Sequence, residues 1–284
     1  MFDAFFMGWQ QDIKIALLPP LMCAIFRLIF ITYFGPKSLG EWGREKLYHC
    51  FRYGFWWGMD FNAYTYLISL IAVSLPGAFL PQYFAVGDTV RTALMLVYLF
   101  VLYVFFWVKM IFYYHYHDII NSNILFGKNA DKRNLADIFF NQNHGLWILL
   151  SFIPYLAVCG ALSMLVLSIP SVEFLSVDNP YLQYACNTAM FLASIAIFYW
   201  FRFGGTFRHR NKPEWDEVPT VVKEDVFLGK ATMDDLIALE IVLKHPLPAF
   251  VSKDDEEAKE SIRRLCPEFK GDGDNPLEYF RHIA

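Results

Sequence analysis

The sequence predicts an all-α membrane protein: a bundle of five transmembrane helices followed by short amphipathic helices in a polar tail. Three observations predict it. Of 284 residues, 56% are apolar and 19% aromatic but only 18% charged, where a soluble domain carries about a quarter charged residues. The apolar residues form five long runs, all before residue 204. Each run approaches the roughly 20 residues that a helix needs to cross a hydrocarbon core. Five such runs without an alternating polar face are incompatible with buried helices of a soluble protein.

The first span is predicted at 13–34, with Pro19 and Pro20 near its start, where they kink the helix or delay it. The preceding MFDAFFMGWQQD is acidic and no small-residue cleavage site follows, which excludes a cleavable signal peptide. The second span covers 61–80 and closes at Pro81, and the third covers 92–114. The fourth, 145–169, ends at Pro170, and the fifth, 181–203, ends at Gly204 and Gly205. Residues 1–203 therefore read as a transmembrane domain and 204–284 as an extramembrane helical connector. In the connector, Thr232-Met-Asp-Asp predicts a helix start, with Leu236, Leu239, Ile241 and Leu243 on one face. Ser252-Lys-Asp-Asp predicts another helix, ending near Leu265 before Pro267.

The net charge of −4 comes with no broad basic face, which speaks against nucleic acid as a partner. The 29 Phe, 16 Tyr and 8 Trp suit a bilayer interface. There is no CxxC pair. Cys23, Cys159 and Cys186 lie in apolar runs, while Cys50 and Cys266 fall on one face, where a disulfide between them is one option.

Arg27 is the most interior charge, and a guanidinium at that depth needs a partner, water or a lipid headgroup. Asp60, at the mouth of the second span, is the candidate partner. The readings are a helix-orienting ion pair, snorkelling of the side chain, or a polar site for a phosphate-bearing lipid. His115, His117 and Asp118 are the weak candidates for a metal site. Histidines at i and i+2 do not share a helical face, so a belt of interfacial polar tips is the competing reading. No phosphate loop, GxSxG elbow or HExxH motif appears, so the residues offer no catalytic set.

Lys37, Arg44, Lys46, Arg52, Lys128, Lys132, Arg133, Arg202, Arg208, Arg210 and Lys212 lie on one side of the predicted spans, against Lys14 and Arg91 on the other. By the preference of basic loops for the cytoplasm, this predicts an outside N-terminus and an inside C-terminus.

Three stretches together carry a resemblance to a family. The first runs from Phe51-Arg-Tyr-Gly-Phe-Trp-Trp-Gly-Met to Asp60-Phe-Asn-Ala-Tyr64. The second is YYHYHDIINSNILFGKNADKRNLADIF after the third run. The third is Glu224-Asp-Val-Phe-Leu-Gly-Lys, continuing to Leu239, with Asn275-Pro-Leu-Glu-Tyr-Phe280. They resemble the N-terminal membrane portion of lipoteichoic acid synthase-like proteins, phosphoglycerol transferases of the alkaline phosphatase/sulfatase superfamily. That resemblance implies five spans in a bacterial plasma membrane with the C-terminal tail outside, opposite to the charge rule. It implies an anchor that presents membrane lipids to a sulfatase-like catalytic domain, either C-terminal or separate. The family's Thr nucleophile and divalent metal, usually manganese, belong to that domain, so no catalytic or metal residue carries over to this chain. Where the family often places a basic residue before the Asp, this chain has Trp57, Gly58 and Met59. The alternative class is a non-enzymatic membrane protein, such as a transporter subunit or assembly factor. The internal repeat common in transporters is missing from the sequence.

Overall fold

Proline placement sets the shape of the bundle. In the computed structural model, Pro19 and Pro20 separate α1 (Phe2–Ile15) from α2 (Leu18–Phe34), because a proline supplies no backbone N–H and its ring clashes with the preceding turn. The structure describes residues 2–36, 42–129, 131–173, 179–207 and 220–244. The predicted helix near 252–265, Cys266 and the stretch 275–280 lie outside the described residues.

α3 (Gly43–Ser69) runs into a π-helical turn, Leu70–Ser74, and then α4 (Leu75–Phe79). The cause is Pro76, which cannot donate to the carbonyl of Ala72. The backbone widens so that Leu75 N–H bonds the Leu70 carbonyl, and the Tyr83 hydroxyl donates to Ala72 O at 2.8 Å. A side chain thus satisfies the carbonyl that Pro76 leaves bare, as an apolar surrounding requires. Tyr83→Phe is expected to lower stability by about 1 kcal/mol, the net value of one such bond, measured as a lower melting temperature in detergent. An unchanged melting temperature would mean that water reaches Ala72.

α5 (Pro81–Tyr116) is the longest element at 36 residues, about 54 Å at helical rise. It ends where His117 takes up a left-handed conformation, φ 51°. A 3-10 segment (Ser122–Asn129), α6 (Lys132–Asp137) and a second π turn (Ile138–Gln142) lead to α7 (Gly145–Ser168) and α8 (Pro180–Arg202). The Asn179 side chain caps α8 by accepting from Tyr181 N–H and Leu182 N–H. Three short helices follow: α9 (Thr220–Lys223), α10 (Val226–Thr232) and α11 (Asp235–Lys244). No strand occurs among the described residues.

Among the described residues, five helical segments are long and apolar enough to cross a membrane: Phe2–Phe34, Gly43–Phe79, Pro81–Tyr116, Gly145–Ser168 and Pro180–Arg202. The first three start well before the apolar runs, because their polar leading turns are helical too. The largest shift is in the second segment, which starts at Gly43 rather than near 61, and at the N-terminus Phe2–Ile15 is a helix of its own.

α2 packs on α3 and α5, α5 on α7, and α3 on α8, while α1 lies against the π turn, α4 and α5. Tyrosine hydroxyls fasten these helices by donating to backbone carbonyls. Tyr103 reaches Ile148 O at 2.7 Å and Tyr155 reaches Leu99 O at 2.9 Å, joining α5 and α7. Tyr66 on α3 accepts from Trp9 Nε1 on α1 at 2.6 Å and donates to Ser194 O on α8 at 2.8 Å. The outer faces of α7 and α8 leave Trp147, Leu149, Ile153, Tyr184 and Leu192 exposed, a surface suited to hydrocarbon rather than water.

The chain divides at Lys244 into two units, and residues 245–284 lie outside the described residues. Part of the predicted connector, α9 to α11, belongs to the first unit. α10 and α11 pack on α2, α3 and α5 within the first unit. The register of the tail helix also differs from expectation. Thr232 ends α10 and turns its hydroxyl back to Leu228 O, and the Asp234 side chain accepts from Leu236 N–H at the start of α11. Leu236, Ile237, Ala238 and Val242 are buried on α11, while Leu243 faces out. Packing against two helices selects a broader face than the one the sequence spacing suggested.

Candidate functional site

Two extended networks of charged side chains lie inside the helical unit, and neither joins Arg27 to Asp60. The first centres on Asp12 of α1, fully buried, and Arg91 of α5, 3% exposed. Arg91 Nε donates to Asp12 Oδ1 at 2.8 Å. Ser69 donates to the same oxygen at 2.5 Å, and Ser74 to the other. The remaining guanidinium nitrogens reach Gly8 O at 3.2 Å, Ser74 Oγ at 2.8 Å and Asp88 Oδ1 at 3.0 Å. The π turn places the two serines around the carboxylate. Gly8 makes the approach possible, since a Cβ there would stand 2.7 Å from Ser74 Oγ and 3.0 Å from Arg91 Nη2. The next turn of α1 continues the polar face. Gln11 donates to Leu167 O, Lys14 to Ile169 O and Ser171 Oγ, and Gln10 exchanges two bonds with Val172. This polar face of α1 thus closes the C-terminal end of α7.

The second group lies about two turns before the C-terminal ends of α2 and α5, and it is built around the α10–α11 turn. Arg27 Nε donates to Ala231 O at 3.0 Å and Arg27 Nη2 to Thr232 O at 3.3 Å. Lys109 Nζ donates to Met233 O at 3.0 Å and pairs with Asp235 at 2.9 Å. These carbonyls end α10, where the helix dipole is negative and backbone acceptors lack intrahelical partners. Arg27 lies over the Phe51 ring and Lys109 over that of Phe30, at 5.9 and 4.8 Å. Gly54 on α3 gives the guanidinium its room, for a Cβ there would overlap it. Burial pushes the Asp235 carboxyl up; Lys109 opposes the shift, Asp234 adds to it, and the net direction is upward. A cavity of about 20 Å³, space for one water, is lined by Cys23, Arg27, Lys109, Met233, Asp234 and Asp235.

Aromatic and polar contacts fasten the same turn. Phe227 stacks between Phe30 and Trp42, centroids 5.5 and 5.4 Å away. Lys230 donates to His117 O at 2.8 Å and pairs with Asp118 at 3.1 Å. Burial raises the Asp118 carboxyl, but bonds from Asn121, Lys230 and the Ile119 N–H outweigh it and hold the group below its usual range.

Arg27 and Asp60 thus take different partners: Arg27 meets the α10–α11 turn, and Asp60 forms an ion pair with Arg202 of α8. Asp60 is buried well inside α3 rather than at a span mouth, because α3 begins at Gly43. Of the weak metal candidates, His115 meets Asn143 at 3.2 Å, His117 caps α5, and Asp118 meets Lys230. Among the described residues no three His, Cys, Asp or Glu side chains group to hold a metal ion. Cys50 is a free, buried thiol, with its sulfur 3.9 Å from Leu228 O.

Sequence reasoning missed Asp12 and Arg91. The signal was present: Gly8 precedes Asp12 by one helical turn and Gly87 precedes Arg91 by one, and each glycine opens a gap that the guanidinium fills.

No protein-family model, no curated protein and no solved structure matches this chain.

Proposed function

We propose that the chain is a multi-pass membrane anchor that fixes the polar segment after its fifth span against the bundle, for a lipid headgroup transferase of the lipoteichoic acid synthase type. The observation that carries this reading is the return of α10–α11 to the bundle, held by Arg27, Lys109, Lys230 and Phe227. A free tether would let an attached domain explore a wide volume. A connector whose described part is pinned to three helices keeps residue 244 near one level of the bilayer and raises the effective concentration there of whatever is attached beyond it. The chemistry belongs to a sulfatase-like domain with a divalent metal, manganese in this family; this chain supplies position and lipid access. In this reading the bundle lies in a bacterial plasma membrane with residue 244 at the outer face, and the basic residues of that end meet anionic headgroups.

The charge bias favours a second reading. Arg91 is taken up by Asp12 inside the bundle, so Lys14 alone remains as a loop-proximal basic residue at the opposite end, and basic loops favour the cytoplasm. A cytoplasmic tail would suit a transporter subunit or assembly factor. Fusing a phosphatase reporter, and separately a fluorescent reporter that matures only in the cytoplasm, after residue 284 separates the two. The anchor reading expects an active phosphatase and a dark fluorophore. The reverse pattern removes it.

A further inference from the structure

Arg27 and Lys109 line one small cavity and bind three successive carbonyls, those of Ala231, Thr232 and Met233, together with the carboxylate of Asp235. Both cations are buried, 5% and 6% exposed. They come from α2 and α5, whereas every anionic or dipolar group that compensates them here comes from residues 231–235. Without that turn, two cations would stand unpaired among Phe26, Leu102 and Phe106, and a buried unpaired charge costs several kcal/mol. Any state without that turn would need another anion to compensate them.

We propose that Arg27 and Lys109 form an anion site shared between the α10–α11 turn and an anionic phosphate headgroup of a membrane lipid, the two occupying it in alternation. The turn imitates such a headgroup. Its carbonyl oxygens and one carboxylate accept from a guanidinium and an ammonium, as phosphate oxygens do. The apolar walls of the cavity and the membrane depth of α2 and α5 favour a lipid over a soluble phosphate. The site is the one in the proposed anchor, and the inference rests on that reading for its biological sense, but its test does not depend on which way the bundle faces.

The Cys50 sulfur and the Thr232 hydroxyl both approach the Leu228 carbonyl, at 3.9 and 2.7 Å. A Thr232→Cys variant, with Cys186 and Cys266 replaced by Ser, therefore places a second thiol beside Cys50, and oxidation locks the turn in its docked position. The purified protein is placed in phosphatidylcholine nanodiscs containing fluorescent phosphatidylglycerol, and bound lipid is counted after exchange. Retention by the reduced protein at least about tenfold above that of the oxidised protein, equivalent to roughly 1.4 kcal/mol, is the expected result. Adding Arg27→Gln to the reduced protein should lower retention to the oxidised level. Equal retention in both redox states, or retention unaffected by Arg27→Gln, overturns the proposal. Lock-dependent binding of radiolabelled inorganic phosphate without phosphatidylglycerol retention would overturn the lipid occupant. Because oxidised and reduced forms are one protein, misfolding cannot mimic the lock effect.

Discussion

Replacing Arg91 with Met is expected to destabilise the bundle by about 3–5 kcal/mol, the loss found when one partner of a buried ion pair is removed. The reason is geometric. Asp12 is fully buried and retains only the hydroxyls of Ser69 and Ser74 once the guanidinium is gone. Gly8 O loses its donor and Asp88 loses its neighbour in the same step. Unfolding in mixed micelles, followed by tryptophan fluorescence, measures the loss. Adding Asp12→Asn to the Arg91→Met variant should recover part of the stability, because the uncompensated charge is removed. A single variant as stable as the parent would show that Asp12 has a partner other than Arg91.

Lys109→Met is expected to have the second large effect, again about 3–5 kcal/mol, confined at first to the α10–α11 turn. It leaves Asp235 without its ion pair and Met233 O without its donor. Limited proteolysis should then cleave within 226–244 far faster than in the parent, while the five long helices stay resistant. Uniform loss of resistance in all helices would mean that the turn is not a separable element. The Arg91 and Lys109 groups share no partner, so the two losses should add to within about 0.5 kcal/mol.

Much of this architecture could be read from residue order. Apolar runs marked all five membrane-length helices, because hydropathy over some 20 residues is a local property. The ends were less legible. Phe2–Ile15 carries Asp3, Asp12 and Lys14, and its helix rests on contacts with the π turn and α5 that no window of sequence contains. Pairing was the least legible property. Arg27 was matched with Asp60 because both lie near neighbouring spans, yet its acceptors stand more than two hundred positions away in α10. Backbone carbonyls carry no signature in the residue alphabet, so a cation that caps a helix end looks unpaired in the sequence. The partner of Asp118 is equally hidden, since Lys230 lies in the returning tail.

Seating of α10–α11 in the bundle is the feature on which the anchor and the anion site both depend. Mild oxidation of the Thr232→Cys variant in native membranes tests that directly. Seating predicts near-complete intramolecular disulfide formation between the introduced thiol and Cys50, and protection of both thiols from a membrane-impermeant maleimide before oxidation. Failure to cross-link, with the introduced thiol freely labelled, would contradict it.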